Sequence, residues 1–391
     1  MSRRSALAGF GGAAAALTVA ACGASRSSGI PDVTASSATG VDAVRRPGGT
    51  LLWQARAVPA DQPSIVASAD RVYVTGGGQN YGDSGTYAFD AATGRRLWRT
   101  PGSSGPYPYA ASASAVYGFT VTPRGGVTYA SASDAATGRT LWTHDAGKVL
   151  DSAKVGSMAY ADGLVYIAAG TAGQPAVRAL DARTGRRVWQ AFAGSFPETA
   201  VVAGGLVYVG DSAGGIGVPG YLVALDAATG ARRWRSANLG GPIYLPVVAD
   251  GVVCCTSVGL SKAATFGLDS RTGREIWHAT VPGAALIGTK DIVFLTEFSF
   301  VQTSSSFTIS ACHAGTGALA WTRKFPGGPA LAVSGDVLYL GYGSSTVQAI
   351  AAATGHALWT HKLRAVPADL AVGGSAVYAL DANGGVYALQ A

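Results

Sequence analysis

The chain has 391 residues, of which 48% are hydrophobic and only 13% are charged, and its formal net charge is +7. This apolar fraction can build a large core, which excludes a mostly disordered protein. The Lys and Arg residues form no blocks with interleaved aromatic residues, which argues against nucleic-acid binding. The 55 glycines favour a sheet-rich fold with many tight turns.

Residues 1–21 are predicted to be a lipoprotein-type signal peptide. Arg3 and Arg4 form a basic start, an apolar stretch of small residues follows, and two alanines precede Cys22. We expect lipid attachment at Cys22; the alternatives are an ordinary secretory signal or an anchor helix, for which the apolar stretch is short. The double arginine resembles a twin-arginine signal, so the Sec and twin-arginine routes both stay open. The predicted location is the outer face of the cytoplasmic membrane or another envelope membrane.

Residues 22–47 are predicted to be a flexible, lipid-anchored linker. They are rich in Ser, Ala, Gly and Thr, contain no aromatic residue, and show neither helical nor strand periodicity. The folded domain is therefore expected to span residues 48–391.

From residue 48 onward the chain repeats. The eight tryptophans stand 38 to 47 residues apart, at Trp53, Trp98, Trp142, Trp189, Trp234, Trp277, Trp321 and Trp359. A glycine lies four residues before each Trp, and in the last seven repeats a threonine precedes that glycine. An aspartate lies three residues before the threonine at Asp90, Asp134, Asp181, Asp226 and Asp269. His313 and Ala351 take its place in two repeats, and an Ala or Gly recurs two residues before this position.

Each repeat contains four short β-rich runs, which we name strands A to D, with the Trp on strand D. The last repeat ends after its strand C, and "GGTLLWQA" after residue 47 is a strand D without its own A, B and C. Four-stranded units at this period are typical of β-propeller blades. We therefore predict an all-β, eight-bladed β-propeller whose last blade is closed by the N-terminal strand, within residues 48–57.

The pattern Ala-x-Asp-x-x-x-Gly-x-x-x-Trp, with Thr before the Gly, resembles the tryptophan-docking motif of the pyrroloquinoline-quinone-like (PQQ-like) β-propeller repeat superfamily. That family includes calcium-dependent quinoprotein alcohol and sugar dehydrogenases. It also includes cofactor-free members, such as the propeller lipoprotein of the bacterial barrel-assembly machine. The resemblance implies that each Trp docks on the small residue and the glycine turn of an adjacent blade. The motif is thus predicted to join blades, and not to bind a ligand.

The B–C loops vary in length and sequence, whereas the A–B and C–D turns are short and uniform. These loops are expected at Thr75–Gly85, Gly170–Pro175, Asp211–Gly220, Ser257–Ala264 and Glu297–Ser306. The B–C and D–A connections share one end of a propeller, and variable loops on a fixed scaffold often bind partners. We name this end the B–C face; the alternative is loops that vary without a function. Its candidate contact residues are Tyr81, Tyr107, Tyr109, Phe196, Tyr244, Phe298 and Phe300.

A dehydrogenase is the alternative to a binding protein. Quinoprotein dehydrogenases of the resembling family carry a ring of two adjacent cysteines over the quinone, and this chain has Cys254 and Cys255. Both are expected inside strand B, on opposite faces, where they cannot join without breaking the strand. Calcium needs several oxygen ligands, and the chain has few Glu and Asn residues. We expect buried thiols, and a disulfide that involves Cys312 stays open.

No catalytic or metal site is predicted, because His144, His278, His356 and His361 lie on or beside the outer strands. Many arginines also fall on strand D, either to protect an exposed edge or to contact anionic envelope polymers or lipids. We predict a monomeric, non-catalytic scaffold that binds an envelope protein or peptide and is held to the membrane by its lipid. The alternatives are a dehydrogenase that uses PQQ with calcium, and a glycan-binding propeller.

Overall fold

The computed structural model describes residues 47–57, 64–76, 85–101, 107–121, 128–145, 157–171, 174–192, 200–212, 219–258, 263–279, 285–301 and 304–391. The predicted signal peptide and almost all of the predicted linker lie outside these residues. In the described part of the chain, no helix is long and apolar enough to cross a membrane.

The described residues form eight antiparallel four-stranded sheets. The first blade consists of β2 (Ile65–Ala67), β3 (Arg71–Gly76), β4 (Gly85–Asp90) and β5 (Arg96–Pro101). The second blade consists of β6 (Tyr107–Ala111), β7 (Ala115–Val121), β8 (Thr128–Asp134) and β9 (Thr140–Asp145). The third blade consists of β10 (Ser157–Ala161), β11 (Leu164–Thr171), β12 (Gln174–Asp181) and β13 (Arg187–Phe192). The fourth blade consists of β14 (Ala200–Ala203), β15 (Leu206–Ser212), β16 (Gly220–Asp226) and β17 (Arg232–Arg235).

The other four blades repeat this order. The fifth blade consists of β18 (Ile243–Ala249), β19 (Val252–Val258), β20 (Ala263–Asp269) and β21 (Glu275–Ala279). The sixth blade consists of β22 (Ala285–Gly288), β23 (Ile292–Val301), β24 (Ser304–His313) and β25 (Leu319–Pro326). The seventh blade consists of β26 (Ala330–Ser334), β27 (Val337–Tyr342), β28 (Thr346–Ala351) and β29 (Ala357–Lys362). The eighth blade consists of β30 (Pro367–Gly373), β31 (Ala376–Asp381), β32 (Gly385–Gln390) and β1 (Leu51–Arg56).

The ring closes between the two ends of the chain. Strand β1 pairs antiparallel with β32, with Trp53 opposite Ala388. Beyond the strands, the Gly49 N–H donates to the carbonyl oxygen of Gln390 at 2.9 Å. The eight-bladed, all-β prediction and the closure of the last blade by the N-terminal strand are confirmed.

The core lies between blades, because each blade is one sheet whose two faces pack against the sheets of the neighbouring blades. One buried cluster, for example, joins Tyr117 and Trp142 of the second blade to Val165 and Leu180 of the third. A sheet buried on both faces needs apolar residues on both faces. This explains continuous apolar runs such as "VYIAA" in β11, where alternation is weak.

Two of the predicted B–C loops are mostly strand. Strands β11 and β12 continue to Thr171 and Gln174, where Gly170–Pro175 had been predicted as a loop. Strands β23 and β24 continue to Val301 and Ser304 in the same way. The loop prediction followed from the variable length and sequence of these segments, but antiparallel pairing satisfies their backbone groups whatever the side chains are. The sixth blade therefore carries a long hairpin at the B–C face.

Candidate functional site

The motif aspartate caps the C–D turn. Oδ1 of Asp134 accepts hydrogen bonds from the backbone N–H of Thr137 at 2.8 Å and from its hydroxyl at 2.7 Å. These two bonds hold the pKa of Asp134 below its usual value, and the bond from the Thr137 hydroxyl contributes most. Gly138 follows with a φ of +73°, the left-handed conformation that the turn requires. The same hydroxyl bond is made by Asp90, Asp181, Asp226 and Asp269.

The turn persists where the aspartate is replaced. The Gly317 N–H donates to the carbonyl oxygen of His313 at 2.8 Å, and the Gly355 N–H donates to that of Ala351 at 2.9 Å. The turn therefore forms without the carboxylate, which adds to it where it is present.

The tryptophan connects its blade to the next one. Nε1 of Trp98 donates to the carbonyl oxygen of Ala135 at 2.8 Å, and the ring lies on Gly138. A Cβ added to Gly138 would stand 2.7 Å from Trp98 Cε3, so only glycine fits. The equivalent indole N–H bonds run from Trp53 to Ala91, Trp142 to Ala182, Trp189 to Ala227, Trp234 to Ser270, Trp277 to Ala314 and Trp321 to Ala352. The ring of Trp359 lies on Gly48 and Gly49, at the N-terminal end of the folded domain.

The small residue of the motif differs from its prediction in one respect. It was expected to receive a Trp from an adjacent blade, but Ala88 lies opposite Trp98 in the same sheet. The ring thus crosses its own strand C before it reaches the next blade. A larger residue at Ala88 would push the Trp98 ring away from strand C and from the glycine turn of the next blade. This explains why the position is Ala or Gly.

An aromatic residue of strand B completes the joint, and it is not among the joint residues predicted from the sequence. The Tyr166 hydroxyl and Trp189 Nε1 both donate to the carbonyl oxygen of Ala227, at 3.2 and 2.9 Å. Burial raises the pKa of Tyr166 to about 12. The signal was present in the sequence, since an aromatic residue recurs at Tyr73, Tyr117, Tyr166, Tyr208, Phe294, Tyr339 and Tyr378. The fifth blade departs from it, with Cys254 at this position.

A buried carboxylate at the seam between the eighth and first blades was also missed. Oδ2 of Asp369 accepts the backbone N–H of Ile65 at 2.9 Å, and Oδ1 accepts that of Leu370. Ser157 occupies the same place in the third blade and accepts the Ala200 N–H of the fourth. Burial raises the pKa of Asp369 to about 7, although both backbone bonds favour the charged form.

The candidate contact residues of the B–C face fall into three groups. Tyr81 and Phe196 lie outside the described residues. Tyr107, Tyr244, Phe298 and Phe300 lie within strands β6, β18 and β23. Tyr109 is half-buried in β6 and meets Phe119 edge to face, with ring centroids 5.3 Å apart. Tyr109 therefore contributes to packing between strands.

The described residues do not fit a quinone with calcium. Cys254 packs with Cys312 and Val293, whereas Cys255 packs with Tyr208 and Leu222, so the two thiols point to opposite faces of β19. A ring between adjacent cysteines would break this strand. Over the described residues, no three His, Cys, Asp or Glu side chains come close enough to hold a metal ion.

The charged side chains of the outer strands are mostly exposed. Arg233 pairs with Asp226 at 2.7 Å, and Arg235 pairs with Asp211 at 3.3 Å while its guanidinium lies over the Tyr221 ring. Arg95, Arg96, Arg139, Arg186, Arg187, Arg232 and Arg274 are exposed on this rim. The histidines on these strands belong to different blades, and His278 pairs with Glu275 at 2.6 Å.

Comparison with known proteins relates the chain to one repeat family. The family model described as "Outer membrane protein assembly factor BamB" matches residues 37–170, 82–236, 176–306 and 305–391. A comparison with curated protein sequences finds no match.

Solved structures share the fold at low sequence identity. The computationally designed protein Ika8 has a TM-score of 0.64 and 16% identity, over 88% of this chain and 100% of its own. BamB from Moraxella catarrhalis has a TM-score of 0.52 and 19% identity, over 88% and 97%. A quinohemoprotein alcohol dehydrogenase from Pseudomonas putida has a TM-score of 0.58 and 16% identity, over 87% and 76%. These likenesses show the fold, and the family model shows the family: the chain belongs to the BamB-like PQQ repeat family of β-propellers.

Proposed function

We propose that this chain is a lipid-anchored, extracytoplasmic propeller that binds an envelope protein or peptide at its B–C face without catalysing a reaction. The observation that carries the proposal is that the motif residues hold the C–D turns and join neighbouring blades. In the described joints, Asp, Thr, Gly and Trp bond to one another or to the next blade. Their repetition is accounted for by the scaffold, which leaves the B–C face as the variable part.

The direction of the ring supports this choice of face. The A–B and C–D turns share one end, as the bond from the Ala91 N–H to the Asp70 carbonyl oxygen indicates. Residues 47–50 lie at this same end, where Gly49 bonds to Gln390. A linker anchored at Cys22 would therefore enter the ring at the C–D end. The B–C face, with the long hairpin of β23 and β24, would point away from the membrane.

The family supports the envelope location. Its model is described as an outer membrane protein assembly factor. Such a factor works on other proteins, which agrees with a protein-binding role here. The likeness to the alcohol dehydrogenase, at 16% identity, concerns the fold alone, and the opposed side chains of Cys254 and Cys255 favour binding over oxidation with a quinone.

Site-specific photo-crosslinking in the intact cell tests the binding face. A photoreactive residue is placed at Ser344 or Asn383, which are exposed in B–C turns, and at Ala353 or Ala92, which are exposed in C–D turns. We expect a recurrent crosslinked protein from the first two positions and not from the second two. Equal crosslinking at both ends, or at the C–D end alone, would refute the choice of face.

Fractionation and an activity assay test the rest of the proposal. Cys22→Ser is expected to move the protein from the membrane fraction to the soluble exported fraction, whereas Cys255→Ser keeps it in the membrane fraction. Dye-linked oxidation of alcohols or sugars by the purified protein with PQQ and Ca²⁺ would show a dehydrogenase and overturn the non-catalytic reading.

A further inference from the structure

One contact recurs between neighbouring blades, and among the described joints only one has both of its members replaced. The aromatic residue of strand B packs in the same cluster as the residue that directly follows the small motif residue of the next blade. The described pairs are Tyr378 with Phe89, Tyr117 with Leu180, Tyr166 with Leu225, Tyr208 with Leu268, Phe294 with Ile350 and Tyr339 with Leu389. Each of these pairs fills the interface with a ring and a large apolar side chain. Between the first and second blades Tyr73 keeps the ring, but the buried Ser133 takes the second position.

Between the fifth and sixth blades, both members of the pair are cysteine. Cys254 holds the strand B position and Cys312 follows the small residue Ala311. The two side chains are 0% and 2% exposed and share one buried cluster. The fifth blade also has Gly267 in place of alanine, and the Trp277 ring lies close against it. This joint thus lacks the aromatic ring of strand B, and a Cβ added to Gly267 would stand 2.2 Å from the Trp277 ring.

A disulfide explains why both positions change together. Two thiols fill less space than a ring and an aliphatic side chain, so two independent replacements would each weaken a close-packed interface. A covalent bond offsets that loss, as inter-sheet disulfides do in β-sandwiches. Cys255 is excluded by the strand, because it faces the fourth blade and packs with Tyr208.

We propose that Cys254 and Cys312 form a disulfide that joins the fifth and sixth blades. All three described cysteines are free thiols in this structure, and the proposed bond would join two of them. The proposal rests on the proposed export of the chain, since disulfides persist in oxidising compartments.

The bond forms by thiol–disulfide exchange with a disulfide-bearing oxidant. One cysteine thiolate attacks the oxidant and releases its first thiol, and the second cysteine then displaces the other. The two cysteines lose two protons and two electrons, and the oxidant becomes two thiols. Burial raises the pKa of Cys254 to about 12 and also raises that of Cys312, so few thiolates exist once the ring has closed. Oxidation should therefore precede or accompany folding.

Thiol counting on the full chain with Cys22→Ser tests the bond directly. The reduced, unfolded protein is refolded with oxidised and reduced glutathione, unfolded again and alkylated, and its mass is measured. We expect one alkylated thiol per chain, at Cys255, and a proteolytic peptide pair linking Cys254 to Cys312. Three alkylated thiols, or a link through Cys255, would overturn the proposal. Oxidised glutathione added after reduced folding should give at least tenfold slower bond formation.

Variants separate the bond from the packing. Cys255→Ser should keep the bond, whereas Cys254→Tyr with Cys312→Leu restores the recurrent pair without sulfur. Dithiothreitol is expected to lower the Tm of oxidised wild type and of Cys255→Ser by about 5 °C. It should leave the double variant unchanged. An equal response of all three proteins would contradict a disulfide at this joint.

The same alkylation on protein taken from intact cells tests the location separately. A bond that forms with glutathione but is absent in cells would refute export to an oxidising compartment, and with it the proposed function. A bond absent under both conditions would refute the cysteine pair alone.

Discussion

The motif aspartate stabilises a turn that can form without it. In the seventh blade, Thr354 keeps the hydroxyl that would donate a hydrogen bond to such an aspartate. Its Oγ1 already accepts a hydrogen bond from the His356 N–H at 3.4 Å. The equivalent bond, from the Arg139 N–H to Thr137 Oγ1, coexists with the Asp134 cap in the second blade. The seventh blade therefore has the geometry of the cap without the carboxylate.

Ala351→Asp should accordingly stabilise the protein. The new carboxylate can accept the N–H and hydroxyl of Thr354, and we expect a gain of about 0.5–1 kcal/mol in the free energy of unfolding at pH 7. Urea unfolding measures the gain. The matched control repeats the substitution in a Thr354→Ala background, where most of the gain should vanish. A gain that survives in that background would show that the carboxylate acts through something other than the turn.

Asp369 predicts a pH dependence of stability with a defined sign. Its pKa is about 7 in the folded protein and near 3.8 in the unfolded chain, so the folded state binds the proton more tightly between these values. The contribution of Asp369 to the free energy of unfolding therefore falls as pH rises from about 4 to 7, and it stays constant above pH 7. The motif aspartates, with lowered pKa values, act in the opposite sense at acid pH.

Asp369→Asn should remove this dependence, because the amide oxygen can still accept the Ile65 N–H and carries no charge. Relative to wild type, the variant is expected to gain stability from pH 5 to pH 8, by up to about 3 kcal/mol. Urea unfolding at several pH values gives the difference curve. Ser157→Ala tests the analogous uncharged seam, and its difference from wild type should not change with pH. A flat Asp369→Asn curve would show that Asp369 is not protonated in the folded protein.

Residues of the joint differ in how far the sequence reveals them. Asp, Thr, Gly and Trp were found because they recur at fixed spacing. Asp369 was not, because it occurs once and its burial depends on the first blade, 304 residues away along the chain. The sequence predicts Cys254 on strand B correctly. That Cys312 lies next to it depends on the packing of the sixth blade against the fifth, which no residue spacing in the sequence reveals.

At the scale of elements, the glycine of the C–D turn serves two purposes that substitution can separate. Gly138 and Gly163 both have positive φ, +73° and +78°. A Cβ at Gly163 would meet no atom within 4 Å, whereas one at Gly138 would collide with the Trp98 ring. The first glycine thus allows both the turn and the docking of the neighbouring blade.

Gly138→Ala should therefore destabilise the protein more than Gly163→Ala. The left-handed backbone alone costs an alanine about 1–2 kcal/mol, and displacing the Trp98 ring should raise the loss at Gly138 to about 3 kcal/mol. Urea unfolding gives both values, and Trp fluorescence reports the exposure of the ring. Equal losses would mean that only backbone strain matters at this turn.

Strands were predicted better than the ends of strands. The Gly-rich A–B turns mark where β14 and β15 meet, because Gly204 and Gly205 both have positive φ. The ends of β23 and β24 carry no such mark, since Ser and Thr suit loops and strands alike. The reach of the sixth-blade hairpin, which bears Phe298 and Phe300 of the candidate site, therefore needed the structure.

For the whole molecule, closure depends on the N-terminal strand in two ways. Strand β1 pairs with β32, and its Trp53 donates to the carbonyl oxygen of Ala91 in the first blade. Trp359 of the seventh blade meanwhile lies on Gly49, just before β1. The segment from Gly49 to Arg56 thus connects three blades.

A proline scan of β1 tests this role, since its alternate N–H groups point to β32 or to solvent. The Ala57 N–H donates to Gly384, so by the antiparallel alternation the Ala55 N–H faces β32 and the Gln54 N–H faces outward. Ala55→Pro should cost about 1–3 kcal/mol more than Gln54→Pro, because a carbonyl oxygen of β32 loses its donor. Hydrogen exchange should rise in β32 and in the turn after β4, as the Trp53 joint loosens with its strand.

His361→Pro, two residues after Trp359 in β29, provides the comparison within a blade of contiguous strands, and its effect should stay in the seventh and eighth blades. Equal losses for Ala55→Pro and Gln54→Pro, with no change in exchange at the first blade, would show that the ring holds together without this pairing.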